Sequence, residues 1–135
     1  MCHTSNCGIF DLDVKFSNTC STDLDNPDRA TISDFVRECV KKVLMHAKVI
    51  DMEHLCLISR KFVWKLSVEI ICLNLNGSIV DMAIVALICA LKKCKLPKYD
   101  VDYEFDIVTP TEAYEQLKIN CVPIYTTFSV INKYD

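Results

Sequence analysis

The stretch WKLSVEIICLNLNGSIVDMAIVALICAL, residues 64–91, decides the fold. Apolar and polar side chains alternate along its first half, which is typical of a β-strand with one buried face. Asn76-Gly77 then predicts a tight turn, because both residues tolerate positive φ. From Ile79 to Cys94 the sequence is apolar nearly all round, which predicts a helix buried between layers. One carboxylate, Asp81, stands near the start of that helix.

The predicted strand begins at Lys61. It becomes apolar on both faces near its end, where Ile71 and Leu73 occupy positions on the otherwise polar face. Strands with two apolar faces lie in the middle of covered sheets, so we expect a central position. Trp64 on this strand is interpreted as a core anchor rather than a stacking platform. A shorter strand over Leu55–Ile58 precedes it.

The N-terminal half predicts a strand over Gly8–Phe16, a polar loop over Ser17–Asn26, and a helix that starts near Pro27, where Asp25-Asn26 can cap it. The helix carries an apolar stripe at helical spacing, formed by Ile32, Phe35, Val36, Cys39, Val40, Val43 and Leu44.

The opposite face of this first helix carries basic residues. Arg37, Lys41 and Lys42 there are interpreted as a solvated surface with acid–base pairs, and an RNA-binding track is the alternative.

The C-terminal third predicts a half-exposed strand over Tyr99–Ile107 whose outer face is acidic. Thr111–Leu117 predicts a helical turn, and Val122–Ile131 predicts a last strand. An acidic face repels RNA, so this strand suits a subunit contact or solvent.

Composition limits the classes of function. The chain has 135 residues, 51% hydrophobic, a net charge of −3 and a pI near 5.6, so it suits one domain without the basic excess of a module that binds nucleic acid alone. Two glycines cannot supply a P-loop or a dinucleotide fingerprint. The longest apolar run, Met82–Leu91, is too short to span a membrane, and the N-terminus lacks a signal peptide, so a soluble intracellular protein is expected.

The sequence gives little support for a metal site or a catalytic nucleophile. The nine cysteines are an odd number and include no C-x-x-C spacing, so we interpret them as small buried hydrophobic residues in a reducing compartment. Cys2-His3 with Cys7 is a weak zinc pattern, and we predict no metal. His46 and His54 flank no nucleophile motif, and no cofactor is expected.

Two carboxylates are the catalytic candidates. Asp81, in apolar surroundings, is either an acid of perturbed pKa or an N-terminal helix carboxylate stabilised by free backbone amides. Glu69 on the strand is the other, and the two would act together only if the fold brings them close.

These residues resemble the RNase PH-like subunits of the RNA exosome. The resemblance rests on Leu55-Cys56 with Val63-Trp64, on the run from Ile70 to Asp81, and on Leu96-Pro97. Further matches are Ala83, Ala86-Leu87 and Ala90-Leu91-Lys92, with Cys20-Ser21, Pro27-Asp28, Arg37, Val122-Pro123 and Thr126-Thr127-Phe128 outside the centre. The similarity extends from about Val14 to Val130.

The resemblance implies a ribosomal protein S5 domain 2-like α/β fold (α+β), as one RNase PH-type domain over residues 1–135. Relative to the family an early sheet and the last strands and helix are missing, so a partial copy is expected. It also implies a hetero-oligomeric ring with other RNase PH-like subunits that degrades RNA 3' to 5' in nucleus, nucleolus and cytoplasm, with RNA bound through the assembled complex and no membrane contact.

Departures from the family imply a silent copy. Active members carry a D-x-D-like strand, arginine-rich RNA loops and a phosphate-binding Gly-Arg-Ser segment. The aligned strand here has Glu69 and Ile71, the loop from Cys20 to Asp28 has no arginine, and no Gly-Arg-Ser occurs. Three hypotheses stay open: a non-catalytic ring subunit, a divergent phosphorolytic exoribonuclease using Asp81 or Glu69, and an interaction module unrelated to RNA.

Overall fold

A computed structural model describes residues 7–20, 26–102, 104–105 and 107–131. The helices are α1 (Asn26–His46) and α2 (Ile79–Lys93), with a 3-10 turn at Glu53–Leu55. The strands are β1 (Ile9–Phe16), β2 (Cys56–Ile58), β3 (Phe62–Val63), β4 (Lys65–Cys72), β5 (Lys95–Asp102) and β6 (Ile107–Gln116).

The centre of the fold is the parallel pair β1 and β4, in which Leu12 lies beside Val68 and Val14 beside Ile70. Two parallel strands need a long crossover, and α1 with the small β2–β3 hairpin supplies it. β5 and β6 form a separate antiparallel hairpin, and one bridge joins Ile50 to Ile119.

The core lies between the apolar face of the β1–β4 pair and the two helices. Three elements contribute buried side chains to that layer: Leu12 and Val14 of β1, Val36, Val40 and Leu44 of α1, and Val80, Ala83, Ile84, Leu87, Ile88 and Leu91 of α2. The α/β class and the elements β1, α1, β4 and α2 are as the sequence predicts, apart from small differences at their ends.

Several predicted side-chain positions are wrong. Phe35 is 61% exposed, because the buried stripe of α1 is narrower than its apolar stripe. Helix α2 is not buried all round, since Met82 and Val85 face outward. Ile71 and Leu73 are also exposed, so the second face of β4 is uncovered among the described residues.

The C-terminal predictions also need correction. The long predicted strand is interrupted after Trp64 into β3 and β4, and the strand from Tyr99 ends at Asp102 before a turn that includes Glu104 and Phe105. Residues 111–117 are not helical, because residues up to Gln116 pair with β5. The predicted last strand over Val122–Ile131 has no assigned strand structure.

The cysteines are less buried than predicted. Of the eight described, Cys20 is buried, five are intermediate, and Cys89 and Cys121 are exposed. Cys2, Tyr103, Asp106 and the predicted cap residue Asp25 lie outside the described residues. Neither described helix combines the length and hydropathy that a bilayer crossing requires.

Candidate functional site

The junction of β4 and α2 is held by local bonds. Gly77 has φ +103, which glycine adopts without steric cost, so the chain can turn sharply there. Ser78 caps α2, and its hydroxyl accepts the backbone N–H of Asp81 at 3.5 Å. The cap therefore places the start of α2 at Ile79, where the sequence predicts it.

Asp81 lies in the first turn of α2 and is partly buried. Its carboxylate accepts the Thr127 hydroxyl at 3.1 Å and the Thr127 backbone N–H at 3.4 Å. The hydroxyls of Thr127 and Ser78 are 2.9 Å apart. This carboxylate therefore holds a segment from the other end of the chain, a contact that the sequence did not reveal.

A groove of about 370 Å³ opens beside this junction. It is lined by the end of β4, the turn and the first turns of α2, with Val14 from β1. Among the residues that the structure describes, the lining contains Ile70, Ile71, Leu73 and Met82 but no lysine, arginine or histidine. The described lining thus offers mainly apolar contacts, without a side-chain cation for phosphate.

Glu69 is occupied elsewhere, on the polar face of β4. Its carboxylate pairs with Lys15 of β1, and Lys15 also lies 3.4 Å from Asp13. The carboxylate of Glu69, and to a smaller extent that of Asp13, raises the pKa of Lys15 above its ordinary value. The described bonds of Glu69 and Asp81 go to different partners, so nothing joins the two candidates into one acid–base pair.

The candidate RNA-binding residues of α1 lie partly among acids. Arg37 pairs with Asp34 on its own helix and approaches Asp13 at 3.8 Å. Lys41 acts on Asp11 of β1, lowering the pKa of that carboxyl less than Lys65 does.

Lys42 is exposed, and its backbone carbonyl accepts a hydrogen bond from Nδ1 of His46 at 2.7 Å. Two of the three candidate RNA-binding side chains thus face carboxylates on neighbouring strand or helix residues.

Sequence reasoning missed the charged lattice on the β1–β4 pair, in which Asp11 binds Lys65 at 3.1 Å beside the Lys15–Glu69 pair. On both strands these charged residues alternate with apolar ones, and this shared alternation was the signal available in the sequence. Among the described residues no group of three or more His, Cys, Asp or Glu could hold a metal. Cys2 and His3 of the weak zinc pattern lie outside them.

A second cleft of about 490 Å³ separates the β5–β6 hairpin from the 3-10 turn. Trp64 and Tyr99 line it together with His54, Lys98 and Glu115. Trp64 also packs against the core, as expected of an anchor.

Comparison with known proteins matches residues 3–97 to the 3' exoribonuclease family (RNase PH), domain 1. Exosome complex component rrp43 of Schizosaccharomyces pombe is 33% identical over 100 residues, covering 73% of this chain and 37% of that protein. Exosome complex component RRP45 of Homo sapiens is 34% identical over 94 residues, covering 67% of this chain and 21% of that protein. The chain therefore spans well under half the length of these relatives.

The fold comparison agrees. A chain of the Archaeoglobus fulgidus exosome with RNA bound to the active site superposes with a TM-score of 0.70 at 20% identity, covering 89% of this chain and 44% of that one. The predicted RNase PH-type α/β fold is confirmed. Because the family match covers most of the sequence, this chain belongs to the 3' exoribonuclease family, with its match in domain 1.

Proposed function

We propose that this chain is a non-catalytic structural subunit of the RNA exosome ring, supporting 3'-to-5' RNA degradation and RNA processing. The observation that carries the proposal is the groove at the β4–α2 junction, the place of the family motif, whose described lining residues include no cationic side chain. Phosphoryl chemistry needs fixed positive charge or a metal where negative charge develops in the transition state.

The bonds that the two candidate acids make within the fold support the same proposal. Glu69 is paired with Lys15, and Asp81 accepts two bonds from Thr127. A general acid or base must reach the proton of its substrate, and both carboxylates already have partners within the fold. We assign them structural roles.

The unpaired edges of the β1–β4 sheet support binding to partner subunits. In the described part of the chain, β1 and β4 form a two-stranded sheet, so each strand keeps an unpaired outer edge. Such edges recruit further strands, whether from the same polypeptide or from a partner. Other RNase PH-like subunits in a hetero-oligomeric ring are the partners we propose.

The proposed ring position is most similar to that of exosome complex component 8. RNA contact is proposed to occur through the assembled complex, because the basic row on α1 lies among carboxylates. The proposed location is intracellular, in the nucleus, the nucleolus and the cytoplasm.

Affinity purification tests the assembly. The chain is tagged, expressed in cells of its source, cross-linked and purified, and co-isolated RNase PH-like subunits are quantified by mass spectrometry. A matched variant, Leu87→Asp, places a charge at a side chain that is 1% exposed and should abolish folding and co-isolation together. Recovery of the folded chain without any RNase PH-like subunit would contradict the proposal.

A divergent phosphorolytic exoribonuclease is the second candidate, favoured by the family match itself. It requires cationic phosphate ligands, which are missing from the part of the groove lining that the structure describes. An interaction module unrelated to RNA gains no support from the relatives named above, which are exosome components.

A further inference from the structure

Two cysteines meet where β1 and β4 end. Cys72 is the last residue of β4 and lies beside Phe16, the last residue of β1. The N–H of Ser17 donates to the Cys72 carbonyl at 2.9 Å, and the N–H of Cys20 donates to the Ser17 carbonyl at 3.0 Å. Two backbone bonds therefore hold the turn that carries Cys20 against the end of β4.

The two side chains also influence each other. Cys20 is buried and Cys72 is partly exposed, and the Cys20 side chain is close enough to Cys72 to raise the pKa of the Cys72 thiol. The Cys72 thiol donates its one proton to the Asn74 carbonyl, at 3.3 Å. This bond places the Cys72 sulfur at the start of the Asn74–Gly77 turn.

We propose that Cys20 and Cys72 form a reversible disulfide that controls the Asn74–Gly77 turn. In the reduced chain the Cys72 thiol holds the Asn74 carbonyl. A disulfide sulfur has no proton to donate, so oxidation removes this bond and releases the turn that leads into Ser78, the cap of α2. The switch is independent of the proposed ring function.

The oxidant is a small disulfide such as oxidised glutathione. The Cys72 thiolate attacks one of its sulfurs, the glutathione S–S bond breaks, and one glutathione leaves as a thiolate that takes up a proton. Cys20 then loses its proton and attacks the Cys72 sulfur, displacing the second glutathione. Two protein thiols become one disulfide, and one oxidised glutathione becomes two reduced molecules.

The environment sets the pace of this exchange. Burial and the adjacent Cys20 raise the pKa of the Cys72 thiol above its ordinary value. Little thiolate is then present at neutral pH, so the pair oxidises slowly and responds to sustained oxidation rather than to brief pulses.

Peptide mapping tests the bond. Trypsin leaves Cys72 and Cys89 in one peptide, residues 66–92, so the full chain carries Cys89→Ser, a change at an exposed side chain. It is equilibrated with reduced and oxidised glutathione, quenched with N-ethylmaleimide and digested without reductant. The expected first disulfide joins peptides 16–29 and 66–92. Persistent glutathione adducts alone, or a first disulfide between other cysteines, would overturn the proposal.

Amide hydrogen exchange tests the switch on the same samples. Exchange over Asn74–Ser78 should rise at least severalfold on oxidation and return with dithiothreitol. Cys72→Ser keeps a hydroxyl donor for Asn74, so its exchange should be the same under both conditions. Unchanged exchange in the oxidised parent, or equal sensitivity in Cys72→Ser, would overturn the switch.

Discussion

The hydroxyl of Thr127 donates a 3.1 Å hydrogen bond to the carboxylate of Asp81, across 46 positions of sequence. The bond links the first turn of α2 to a C-terminal segment whose neighbouring side chains Ile124 and Phe128 are 92% and 83% exposed. With few packing contacts on those side chains, polar bonds at Thr127 hold the segment in place.

Thr127→Val removes the hydroxyl and keeps the shape of the side chain. We expect faster hydrogen exchange and proteolysis over residues 122–131, with a fall in global unfolding free energy below about 1 kcal/mol, because the lost bond is exposed. Thr126→Val, one position earlier and also exposed, is the matched control. Equal exchange in the two variants would show that the Asp81 contact does not hold the segment.

The two sides of α2 should differ sharply in stability. Leu87 is 1% exposed and Met82 is 66% exposed on the same helix. Leu87→Ala leaves a cavity and should lower the unfolding free energy by about 2–5 kcal/mol, whereas Met82→Ala should cost less than about 1 kcal/mol. Urea denaturation followed by circular dichroism measures both. Similar costs would contradict the placement of the core.

Gly8 has no room for a larger residue. A Cβ built on Gly8 would lie 2.3 Å from the Cβ of Leu55, an atom fixed by its own backbone. Gly8→Ala should therefore lower the unfolding free energy by about 1–3 kcal/mol through overpacking. Asn18→Ala, in the exposed turn after β1, serves as the control in the same denaturation assay. A neutral Gly8→Ala would mean that β1 and the 3-10 turn are farther apart.

The charged lattice has a measurable pH signature. Lys65, and to a smaller extent Lys41, holds the pKa of the Asp11 carboxyl below its ordinary value of 3.8. A lowered pKa in the folded state stabilises the protein above the unfolded pKa, and this contribution is lost as the pH falls through the lower, folded value. The loss is confined to acid, below about pH 4.

Removing the partner should reverse the shift. In Lys65→Gln the pKa of Asp11 should move upward, as followed by carboxyl chemical shifts in an NMR titration. Lys42→Gln removes an exposed lysine that does not act on Asp11 and should leave the titration unchanged. Identical Asp11 titrations in Lys65→Gln and the parent chain would rule out the cross-strand pair.

Local periodicity was enough to predict the helices and the two central strands, because the spacing of apolar residues reports which side of an element is buried. It could not give the width of the buried stripe, so Phe35 was placed in the core although its neighbours leave it exposed. Residues 111–117 have helical propensity, yet pairing with β5 across the hairpin draws residues up to Gln116 into β6.

The candidate site was less accessible to sequence reasoning. Asp81 and Glu69 stood out as carboxylates in or beside apolar runs, and the structure describes both with partners. Those partners, Thr127 and Lys15, are distant in sequence, and no local pattern identifies them. The absence of cations from the described groove lining likewise depends on which strands, turn and helix meet there.

Phosphate-dependent RNA degradation by the purified chain tests the central claim most directly. A 3'-labelled RNA is incubated with the chain and inorganic phosphate, with and without Mg²⁺, and released nucleoside diphosphates are quantified beside an active RNase PH-type enzyme. The non-catalytic account predicts no release above a no-protein blank, with Asp81→Asn and Glu69→Gln identical to the parent. Release that requires phosphate and disappears in either variant would contradict it.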